Sequence, residues 1–512
     1  QDIPEYIELC RKGEYASALR LITEKNPLPF ITGTICAHNC MTKCMRNYYD
    51  QPVNIRSTKL VAAEKGYDAY IAKIKAPAPA DTSAKVAVIG GGPTGMSAAY
   101  FLGRAGIPVT IFERTDCLGG VVRQVIPAWR ISDDAIDKDV ALMFKMGVEV
   151  KLNTEAPSVA ELKAMGYTHI FFAVGAWKAG KLDIPGNIVP VIGWLKDMKG
   201  GKKVPLGHVA VVGGGNTAMD AARAALRAGA KSSTLVYRRT KKYMPADAEE
   251  LELAIADGVQ FLELVSPVEQ KDGKLVCEKM KLGDPDEKGR RKPVPTGEMV
   301  SIDCDTVIAA VGEKVDSDLF TSNGINVDAK GIPDFKTNID GVYAGGDAMR
   351  GPATVVEGIA DATAFAKAVI GEAHKFSIPA KAVATRAKAI AKKGILCESA
   401  KCEGDRCLTC NVVCQVCADV CPNRANVVIE LPDGRHQILH VDRMCNECGN
   451  CAIFCPYDSA PYRDKFTLFY TREGFDESVN NSGFLPLGGH KVLVRLSGKV
   501  FEADLDGKND LP

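Results

Sequence analysis

The sequence has no excess of charge of either sign. Its 512 residues include 64 lysines and arginines and 63 aspartates and glutamates, so the formal net charge is +1. A chain this balanced has no general electrostatic attraction to nucleic acid or to an anionic membrane. Apolar residues make up 46% and charged residues 25%, which is typical of a soluble globular protein of roughly two to four domains.

Long hydrophobic runs are also lacking. The longest stretch without a charged residue extends from Val86 to Gly103, and five glycines and Pro93 interrupt it. We therefore expect no membrane-spanning helix there. The first residues do not form a secretory signal, and the chain begins at Gln1 rather than at methionine. We expect either processing of the N-terminus or further residues upstream.

Cysteine, in contrast, is abundant and unevenly distributed. Of the 18 cysteines, eleven lie between Cys397 and Cys455 and three between Cys36 and Cys44. A secreted disulfide scaffold would be short and would carry no nucleotide-binding patterns. Grouped thiols beside such patterns favour metal ligation in a reducing compartment, so we predict a cytoplasmic protein.

A glycine-rich turn between a predicted strand and a predicted helix indicates a first nucleotide site. The strand Val86–Ile89 leads into Gly90-Gly-Gly-Pro-Thr-Gly95, which is the pattern G-x-G-x-x-G. Its glycines permit a tight turn, the approach of a pyrophosphate and close packing of helix on strand. The next strand ends at Glu113, where a carboxylate can bind a ribose 2′-hydroxyl. We predict a dinucleotide with a free 2′-hydroxyl here.

A second turn of this kind follows the strand Val209–Val212. It reads Gly213-Gly-Gly-Asn-Thr-Ala218, and the strand after it ends in Arg238-Arg239 instead of an acid. Guanidinium groups at that place suit a 2′-phosphate, which a carboxylate would repel. The second site is therefore predicted to bind NADP(H), although two arginines at a strand end can also be simply solvated.

The first of these domains resembles the glutamate synthase small-subunit family. The matching segments are 119–123, 126–130, 173–175 and 341–347, and 244–246 matches the NADPH half. The resemblance implies that the first dinucleotide is FAD, with Asp347 at its ribityl chain and Thr354 near the isoalloxazine. The predicted cofactor-binding residues of the two sites are Gly90, Gly92, Pro93, Gly95, Glu113, Arg114, Gly120, Arg123, Arg130, Ala173, Gly175, Gly213, Gly215, Asn216, Thr217, Ala218, Arg238, Arg239, Gly312, Gly346, Asp347, Thr354 and Val355.

The redox-active Cys-x-x-Cys pair of disulfide reductases is missing from this part of the chain. The NADP domain has only Cys277 and Cys304, which do not form such a pair. Electrons must therefore leave the flavin by another route.

Two cysteine runs near the C-terminus supply such a route. The run Cys445-x-x-Cys448-x-x-Cys451-x-x-x-Cys455-Pro is the bacterial ferredoxin pattern, in which the fourth cysteine reaches the other cluster. An upstream run ends in Cys421-Pro422. Crossing the fourth ligands gives one [4Fe–4S] cluster on Cys445, Cys448, Cys451 and Cys421, and a second on Cys414, Cys417, Cys455 and one more cysteine.

The identity of that last ligand stays open between two cysteines. Regular spacing would put it at Asn411, so we prefer Cys410, with Cys407 as the second choice. Zinc is the alternative metal, but zinc ribbons use two cysteine pairs rather than two runs that end in Cys-Pro. Cys397 and Cys402 fit neither run, and we predict structural roles for them.

These runs resemble a family that carries the name selenate reductase. The matching segments are 417–426, 445–451 and 454–457, and the resemblance extends from Ile3 to about Gly498. It implies a flavin and NADPH module, similar to the N-terminal part of dihydropyrimidine dehydrogenase, joined to a ferredoxin tail with two clusters. It also implies a partner similar to a purine-degrading molybdenum hydroxylase.

The N-terminal cysteines Cys36, Cys40 and Cys44 resemble part of that family's helical domain, which holds two clusters near the flavin. Three thiols cannot complete two clusters, and the family's other cysteines lie upstream of the position matching Asp2. Lys59 stands where relatives have a Glu or Gln ligand. The resemblance therefore implies one or two N-terminal clusters if upstream cysteines exist. Cys10 and His38 are predicted to be structural.

Together these motifs predict an α/β fold class with two nested Rossmann-like domains, preceded by an α-helical Fe–S domain and followed by a bacterial-ferredoxin-like α+β domain. The predicted segments are 1–75 (α-helical Fe–S domain, truncated at its N-terminus), 84–200 (FAD domain, first part), 201–310 (NADPH domain), 311–378 (FAD domain, second part), 379–396 (linker helix), 397–465 (ferredoxin-like domain) and 466–512 (β-rich extension).

The predicted function is an FAD- and [4Fe–4S]-dependent NAD(P)H oxidoreductase subunit that passes electrons between NADPH and clusters, in either direction. Its predicted partner is a ferredoxin or a molybdenum-hydroxylase-like subunit in a hetero-oligomer. No side chain is predicted to act as a general acid or base. Three alternatives remain open: a self-contained NADPH:ferredoxin oxidoreductase, with or without bifurcation, a non-catalytic electron relay, and a reductase of an oxyanion such as selenate, for which no molybdenum or selenium motif is visible.

Overall fold

The computed structural model describes residues 2–48, 50–285, 291–371, 399–408, 414–430, 436–455, 459–478, 482–496 and 498–505. The chain divides into two compact units. We call them the cysteine unit, which comprises Gln1–Ile22, His38–Tyr70 and Lys375–Pro512, and the nucleotide unit, which comprises Thr23–Ala37 and Ile71–His374. In the described residues, no helix is both long and apolar enough to cross a membrane.

Helices and strands alternate through the nucleotide unit, and short elements dominate the cysteine unit. The α-helices of the described residues are α1 Ile3–Arg11, α2 Tyr15–Thr23, α3 Pro29–Ile35, α4 Asn39–Thr42, α5 Ile55–Ile71, α6 Pro93–Arg104, α7 Gly120–Gln124, α8 Asp133–Phe144, α9 Val159–Ala164, α10 Val191–Lys199, α11 Asn216–Arg227, α12 Ala248–Ala256, α13 Ser317–Thr321, α14 Asp347–Arg350, α15 Val355–Ile370, α16 Ala400–Arg406, α17 Val416–Asp419, α18 Asn450–Ile453, α19 Pro461–Asp464 and α20 Arg472–Glu477. The strands are β1 Val86–Ile89, β2 Val109–Phe112, β3 Glu149–Lys151, β4 His169–Phe172, β5 Lys178–Ala179, β6 Ile188–Pro190, β7 His208–Val212, β8 Ser232–Tyr237, β9 Gln260–Glu263, β10 Val265–Lys271, β11 Lys274–Pro285, β12 Arg291–Asp303, β13 Thr306–Ala309, β14 Glu313–Lys314, β15 Val342–Ala344, β16 Asn426–Glu430, β17 His436–Val441, β18 Thr467–Leu468, β19 Gly483–Gly488, β20 Lys491–Leu496 and β21 Lys499–Asp504.

Two parallel sheets form the core of the nucleotide unit. The first has the order β15-β4-β1-β2-β3, and the second has the order β6-β13-β7-β8-β9. Their central strands β1, β7 and β13 are almost wholly apolar and buried, as strands covered on both faces must be. In each sheet the order of the strands reverses at the central strand, which is the place where open α/β sheets bind ligands. The predicted α/β fold class with two dinucleotide domains is confirmed.

The second parallel sheet includes a strand from before residue 201. Strand β6 pairs in parallel with β13, at the edge of that sheet. The limits predicted for the two nucleotide domains stay predictions. A three-stranded antiparallel sheet, β10-β11-β12, follows within the same domain.

The predicted N-terminal domain 1–75 is divided between the two units. Helix α3 belongs to the nucleotide unit, where the buried carboxylate of Asp139 in α8 accepts from the backbone N–H groups of Phe30 and Ile31 at 3.1 and 2.8 Å. These bonds satisfy two of the N–H groups that a helix leaves unpaired at its start. Helix α1 and most of α2 and α5 remain in the cysteine unit.

The cysteine unit joins the two ends of the chain. Helix α1 packs against α16, and Tyr6, Ile7, Leu21 and Ala62 share an apolar core with Cys407. Strands β16 to β21 form one six-stranded sheet, so the predicted extension 466–512 continues the sheet of the ferredoxin-like segment. The helical Fe–S domain and the ferredoxin-like domain, predicted as separate, form one compact body here.

Candidate cofactor sites

The first glycine turn lies between β1 and α6. At two of its glycines a side chain would collide with the protein, and at a third there is free space. Gly90 has a positive φ of 101°, and a Cβ there would lie 2.6 Å from the carbonyl oxygen of Ala173. A Cβ on Gly95 would lie 2.0 Å from the carbonyl oxygen of Gly90. A Cβ on Gly92 would meet only the Cα of Gly120, at the ordinary distance of 3.8 Å. The open space at Gly92 fits an approaching pyrophosphate.

Glu113 lies buried at the end of β2, as predicted, and its carboxylate is fixed beside the turn. Oε2 accepts from the backbone N–H of Gly91 at 2.7 Å, and Oε1 accepts from the N–H and hydroxyl of Thr115 at 2.8 and 2.7 Å. The carboxylate therefore orders the turn even without a ligand. Its predicted bond to a ribose hydroxyl stays a prediction.

The segment after β15 meets the same turn from the other side. Gly346 has a positive φ of 64°, and a Cβ there would lie 2.4 Å from the hydroxyl oxygen of Thr94 in α6. The next residue, Asp347, accepts a hydrogen bond from the N–H of Ala353 at 3.1 Å. Burial raises the pKa of Asp347 to about 6, with the carboxylate of Glu313 acting in the same direction. A partly desolvated carboxyl group at this place suits the hydroxyls of a ribityl chain.

Glu313 is a residue that the sequence did not point to. Glu313 comes directly after Gly312 and is the first residue of β14. Burial raises the pKa of Glu313 as well. No local pattern marks this acid, because only the tertiary fold brings β14 near Asp347. Thr354, the predicted neighbour of the isoalloxazine, caps α15 through a reciprocal pair of hydrogen bonds with Glu357, and Val355 is the first residue of that helix.

Two of the predicted cofactor-binding arginines are held by carboxylates of the protein. Arg130 forms ion pairs with Asp220 in α11 at 2.6 Å and Glu250 in α12 at 2.7 Å. Arg123 donates to the carbonyl oxygen of Leu118 at 2.6 Å and pairs with Asp137. Arg130 thus joins the segment 126–130 to helices of the second nucleotide domain. Another predicted cofactor-binding arginine, Arg114, is exposed. Its guanidinium lies over the ring of Trp177, 5.8 Å from the ring centre, and Trp177 follows Gly175 by two residues.

The second glycine turn lies between β7 and α11. Like the first, it has one glycine without room for a side chain and another with free space around it. A Cβ on Gly213 would lie 2.2 Å from the carbonyl oxygen of Ala310, whereas nothing lies within 4 Å of a Cβ on Gly215. Ala218 is fully buried, so the third position tolerates a methyl group here. Asn216 accepts from the N–H of Asp247 at 3.0 Å and links the turn to the start of α12. Thr217 lies between Asn216 and Ala218 in the first turn of α11.

Arg238 and Arg239 lie at the end of β8, next to the second turn in the same sheet. Arg238 is exposed, and Nε of Arg239 donates to the carbonyl oxygen of Arg291 at 3.2 Å. The bond brings the start of β12, and with it the charges of Arg291 and Lys292, to the edge of the predicted 2′-phosphate site. That second pair of basic residues was not foreseen, because it lies some fifty residues further along the chain.

The cysteines predicted for one ferredoxin cluster line the same open pocket. Its lining includes Cys421, Cys445, Cys448 and Cys451, with Asn426, His440 and Tyr462 at its wall. Backbone N–H groups of Ala425 and Glu447 donate to the sulfurs of Cys421 and Cys445 at 3.2 and 3.3 Å. Such bonds stabilise thiolates and tune a cluster. Four thiols around one cavity therefore fit a cubane.

The cysteines predicted for the other ferredoxin cluster also gather. Burial raises the pKa of Cys417 to about 11, and the nearby thiols of Cys414, Cys451 and Cys455 affect it. Cys410, the preferred fourth ligand, lies outside the described residues. Throughout the described ranges, no three metal-binding side chains lie close enough to hold a single ion.

The remaining cysteines have different surroundings. Cys36 follows α3 in the nucleotide unit, while Cys40 and Cys44 lie in and just after α4 in the cysteine unit. Burial raises the pKa of Cys10 to about 12, which agrees with its predicted place in the core. Cys277 and Cys304 are buried in the nucleotide unit. Cys402 is disulfide-bonded, and Cys397 lies outside the described residues.

Two protein families match different parts of the chain. The family described as pyridine nucleotide-disulphide oxidoreductase matches residues 84–362, and the family described as dihydropyrimidine dehydrogenase domain II, 4Fe-4S cluster, matches residues 1–69. The chain is 41% identical to the protein YgfK of Escherichia coli (strain K12), over 100% of this chain and 52% of that protein. It therefore spans about half the length of that relative.

Two further relatives each match about 70% of this chain. The chain is 35% identical to the NADPH-Fe(3+) oxidoreductase subunit beta of Geobacter sulfurreducens (strain DL-1 / KN400), over 73% of this chain and 61% of that protein. It is 30% identical to the glutamate synthase [NADPH] small chain of Escherichia coli (strain K12), over 70% of this chain and 84% of that protein. Both names include NADPH, the nucleotide predicted for the second site.

Proposed function

The chain belongs to the pyridine nucleotide-disulphide oxidoreductase family, and on this basis we propose that it passes electrons from NADPH to [4Fe–4S] clusters and from these to a partner protein. It is an oxidoreductase whose cofactors are FAD, NADPH and [4Fe–4S] clusters. One observation carries the proposal: two glycine turns with open second positions occur in the same chain as a cavity lined by four cysteines. Converting hydride transfer into single-electron transfer requires both kinds of site.

The nucleotide unit contributes positioning and electrostatics to this reaction. FAD, when bound, supplies the hydride acceptor and the release of single electrons. The open positions at Gly92 and Gly215 let the backbone approach a pyrophosphate, and the first turns of α6 and α11 direct unpaired N–H groups toward it. Asp347 accepts from hydroxyls of the flavin's side chain. Arg238 and Arg239 bind the 2′-phosphate of NADPH.

The cysteine unit contributes the thiolates and the backbone N–H groups that donate to them. Cys421, Cys445, Cys448 and Cys451 hold one cluster, and the N–H groups of Ala425 and Glu447 stabilise charge on two of the sulfurs. Cys414, Cys417 and Cys455 hold most of the other. Cys448 is the exposed member of the set, so we propose that a partner docks near it. Any reversal of the electron flow would use the same residues.

The names of two relatives support the proposal that this chain works with a partner protein. Two matching proteins are named as beta subunits, of an NADPH-Fe(3+) oxidoreductase and of an NADP(+)-dependent formate dehydrogenase of Moorella thermoacetica. We propose that this chain also works in a hetero-oligomer, in the cytoplasm, with a ferredoxin or a molybdenum-hydroxylase-like subunit as electron acceptor.

Anaerobic stopped-flow spectroscopy of the purified chain tests the function. NADPH is expected to bleach the flavin absorbance in a first phase and to reduce the clusters in a second, slower phase. The reason is that a two-electron donor must act before single electrons can be passed on. A flavin that NADPH leaves oxidised, but that a chemically reduced partner reduces through the clusters, would identify the chain as a relay.

The nucleotide preference depends on the two arginines. Arg238→Ala combined with Arg239→Ala is expected to raise KM for NADPH by about a hundredfold, since each charge-assisted bond contributes roughly 1.5–3 kcal/mol. KM for NADH should change by less than about threefold. The matched control is Lys202→Ala with Lys203→Ala, which removes the same charge before β7, at the strand end opposite the glycine turn. Equal effects on both nucleotides would contradict the assignment.

A further inference from the structure

The segment 119–130 runs from the first glycine turn to helices of the second parallel sheet. At its beginning, the backbone N–H of Gly119 donates to the carbonyl oxygen of Gly91 at 2.9 Å. The Cα of the next residue, Gly120, lies 3.8 Å from the place that a Cβ on Gly92 would take. The segment is therefore attached at this end to the turn that is predicted to bind the pyrophosphate of FAD.

The middle of this segment is buried in the core of the second sheet. Val125 belongs to one apolar cluster with residues of β7, α10 and α11, and Val121 packs against that cluster. At the end of α10, Nζ of Lys199 donates to the carbonyl oxygen of Ile126 at 2.7 Å. Protein cores are closely packed, so the segment cannot move without disturbing the core of the second sheet.

A buried network of ion pairs fixes the end of the segment. Nη1 of Arg130 lies 2.6 Å from a carboxylate oxygen of Asp220 in α11. Both carboxylate oxygens of Glu250 in α12 accept from Arg130, at 2.7 and 2.8 Å. Both acids are buried. A guanidinium that pairs in this forked geometry defines direction as well as distance, so α11 and α12 have a fixed orientation relative to the segment.

A cation–π contact supports the same end of the segment. The ring of Trp129 faces two guanidinium groups of α11, those of Arg223 and Arg227, which lie 4.4 and 4.6 Å from the ring centre. Both arginines also pair with Asp257 at 2.8 Å, so their positions do not depend on Trp129 alone. Because Trp129 is uncharged and partly exposed, its removal leaves no buried charge without a partner.

The network of Arg130 ends close to the second glycine turn. Asp220 lies two residues after Ala218, the last position of that turn's pattern. Burial raises the pKa of Asp220 to about 6, although the guanidinium of Arg130 acts in the opposite direction. Both terminal nitrogens of Arg130 are engaged by acids of α11 and α12. One short segment thus connects the two glycine turns through contacts within the protein.

We propose that Arg130 and Trp129 are positioning residues for hydride transfer from NADPH to FAD. They fix the second sheet, predicted to bind NADPH, relative to the first sheet, predicted to bind FAD, and neither residue touches the reacting atoms. This role takes the place of the cofactor contact predicted for Arg130 from the sequence. It rests on the proposed function, because both nucleotides must bind to this chain.

The geometry of hydride transfer explains why such a link matters. NADPH gives up a hydride, which carries two electrons and one proton, and becomes NADP⁺, while the flavin takes the hydride up. The reacting atoms must lie about 3–3.5 Å apart, and a misplacement of about 1 Å can slow such a step by about a hundredfold. A loosened contact between the two sheets should therefore slow the reaction without weakening either nucleotide's own site.

Anaerobic stopped-flow spectroscopy of the full chain separates positioning from binding. Arg130→Ala is expected to lower the limiting rate of flavin reduction, measured at saturating NADPH, by about tenfold or more. The FAD content should equal that of the wild type, and the Kd for NADPH should stay within about threefold of it, because the glycine turns are unchanged. Arg130→Lys should recover part of the rate, since an ammonium group can pair with one of the two acids.

Two further variants and a control test the contacts themselves. Glu250→Gln should slow the same step, and adding it to Arg130→Ala should cause little further loss, because residues that act as one unit are not additive. Trp129→Ala leaves the ion pairs in place, and its limiting rate should fall by about threefold or more. The control is Lys274→Ala, which removes an exposed ion pair with Asp303 in the antiparallel sheet and should keep the wild-type rate.

The positioning role is wrong if Arg130→Ala and Trp129→Ala both reduce their flavin at the wild-type rate. A loss of FAD from Arg130→Ala, or a weaker Kd for NADPH with an unchanged limiting rate, would also overturn it, since either result identifies a cofactor contact. If Arg130→Ala does not fold, the rate of Trp129→Ala decides. A wild-type flavin that NADPH does not reduce would instead refute the proposed function.

Discussion

Gly215→Ala is expected to lower kcat/KM for NADPH by about a hundredfold or more while leaving the stability of the protein unchanged. Gly215 has extended backbone angles, φ −95° and ψ 172°, which alanine adopts without strain. Nothing lies within 4 Å of the added methyl group, so the protein itself has no reason to require glycine. Only a nucleotide lying against the turn would meet that methyl group. A hundredfold loss corresponds to about 3 kcal/mol.

Gly92→Ala is the reciprocal control for this prediction. It adds the same methyl group to the first turn, where only the Cα of Gly120 lies nearby. We expect it to lower the FAD content while affinity for NADP⁺ stays within about threefold of the wild type, and Gly215→Ala should show the reverse. Stopped-flow kinetics, flavin content and thermal unfolding measure the three properties. If each variant retains both nucleotides, the open positions are not pyrophosphate sites.

Gly95→Ala is expected to destabilise the nucleotide unit by about 3 kcal/mol or more, and FAD should be lost with it. The added Cβ would lie 2.0 Å from the carbonyl oxygen of Gly90, which is a backbone atom that cannot rotate away. Helix α6 would have to move off β1, and this movement would also disturb its packing against α15. Overpacking of a tight core costs roughly 1–3 kcal/mol, and more where backbone must move.

Gly193→Ala is the matched control for the packing argument. Gly193 lies within helix α10, is exposed, and has nothing within 4 Å of an added Cβ. The same substitution there should be neutral or stabilise the protein by up to about 1 kcal/mol, the helix propensity difference between the two residues. Denaturant unfolding of both variants gives the comparison. A Gly95→Ala protein as stable as Gly193→Ala would contradict the close contact between α6 and the turn.

The features that the sequence predicted correctly all depend on neighbouring residues. Each glycine turn follows a buried strand and precedes a helix, as the pattern requires. The family resemblance to glutamate synthase small chains, the α/β fold class, and the FAD, NADPH and [4Fe–4S] cofactors were confirmed by the comparisons. The individual cofactor-binding and cluster-binding residues, and the domain limits, stay predictions.

Other features could not be read from the sequence because they depend on contacts between distant segments. Arg130 lies in a segment that resembles a flavin motif, yet its nearest partners are Asp220 and Glu250, about 90 and 120 residues away. The pairing of β6 with β13 likewise joins two strands that are far apart in the sequence. Glu313 approaches Asp347 only through the fold.

Patterns of a few neighbouring residues are sufficient to predict the cofactor chemistry of this chain. Turn glycines, strand-end charges and closely spaced cysteines each lie within one short segment, so they can be recognised in the sequence alone. The folded structure is needed to show that Cys407 shares a core with the N-terminal helices and that segments from both ends of the sequence belong to one compact unit. These contacts depend on the burial of apolar side chains and on buried ion pairs such as Arg406 with Asp50. Both act between residues that are hundreds of positions apart in the sequence.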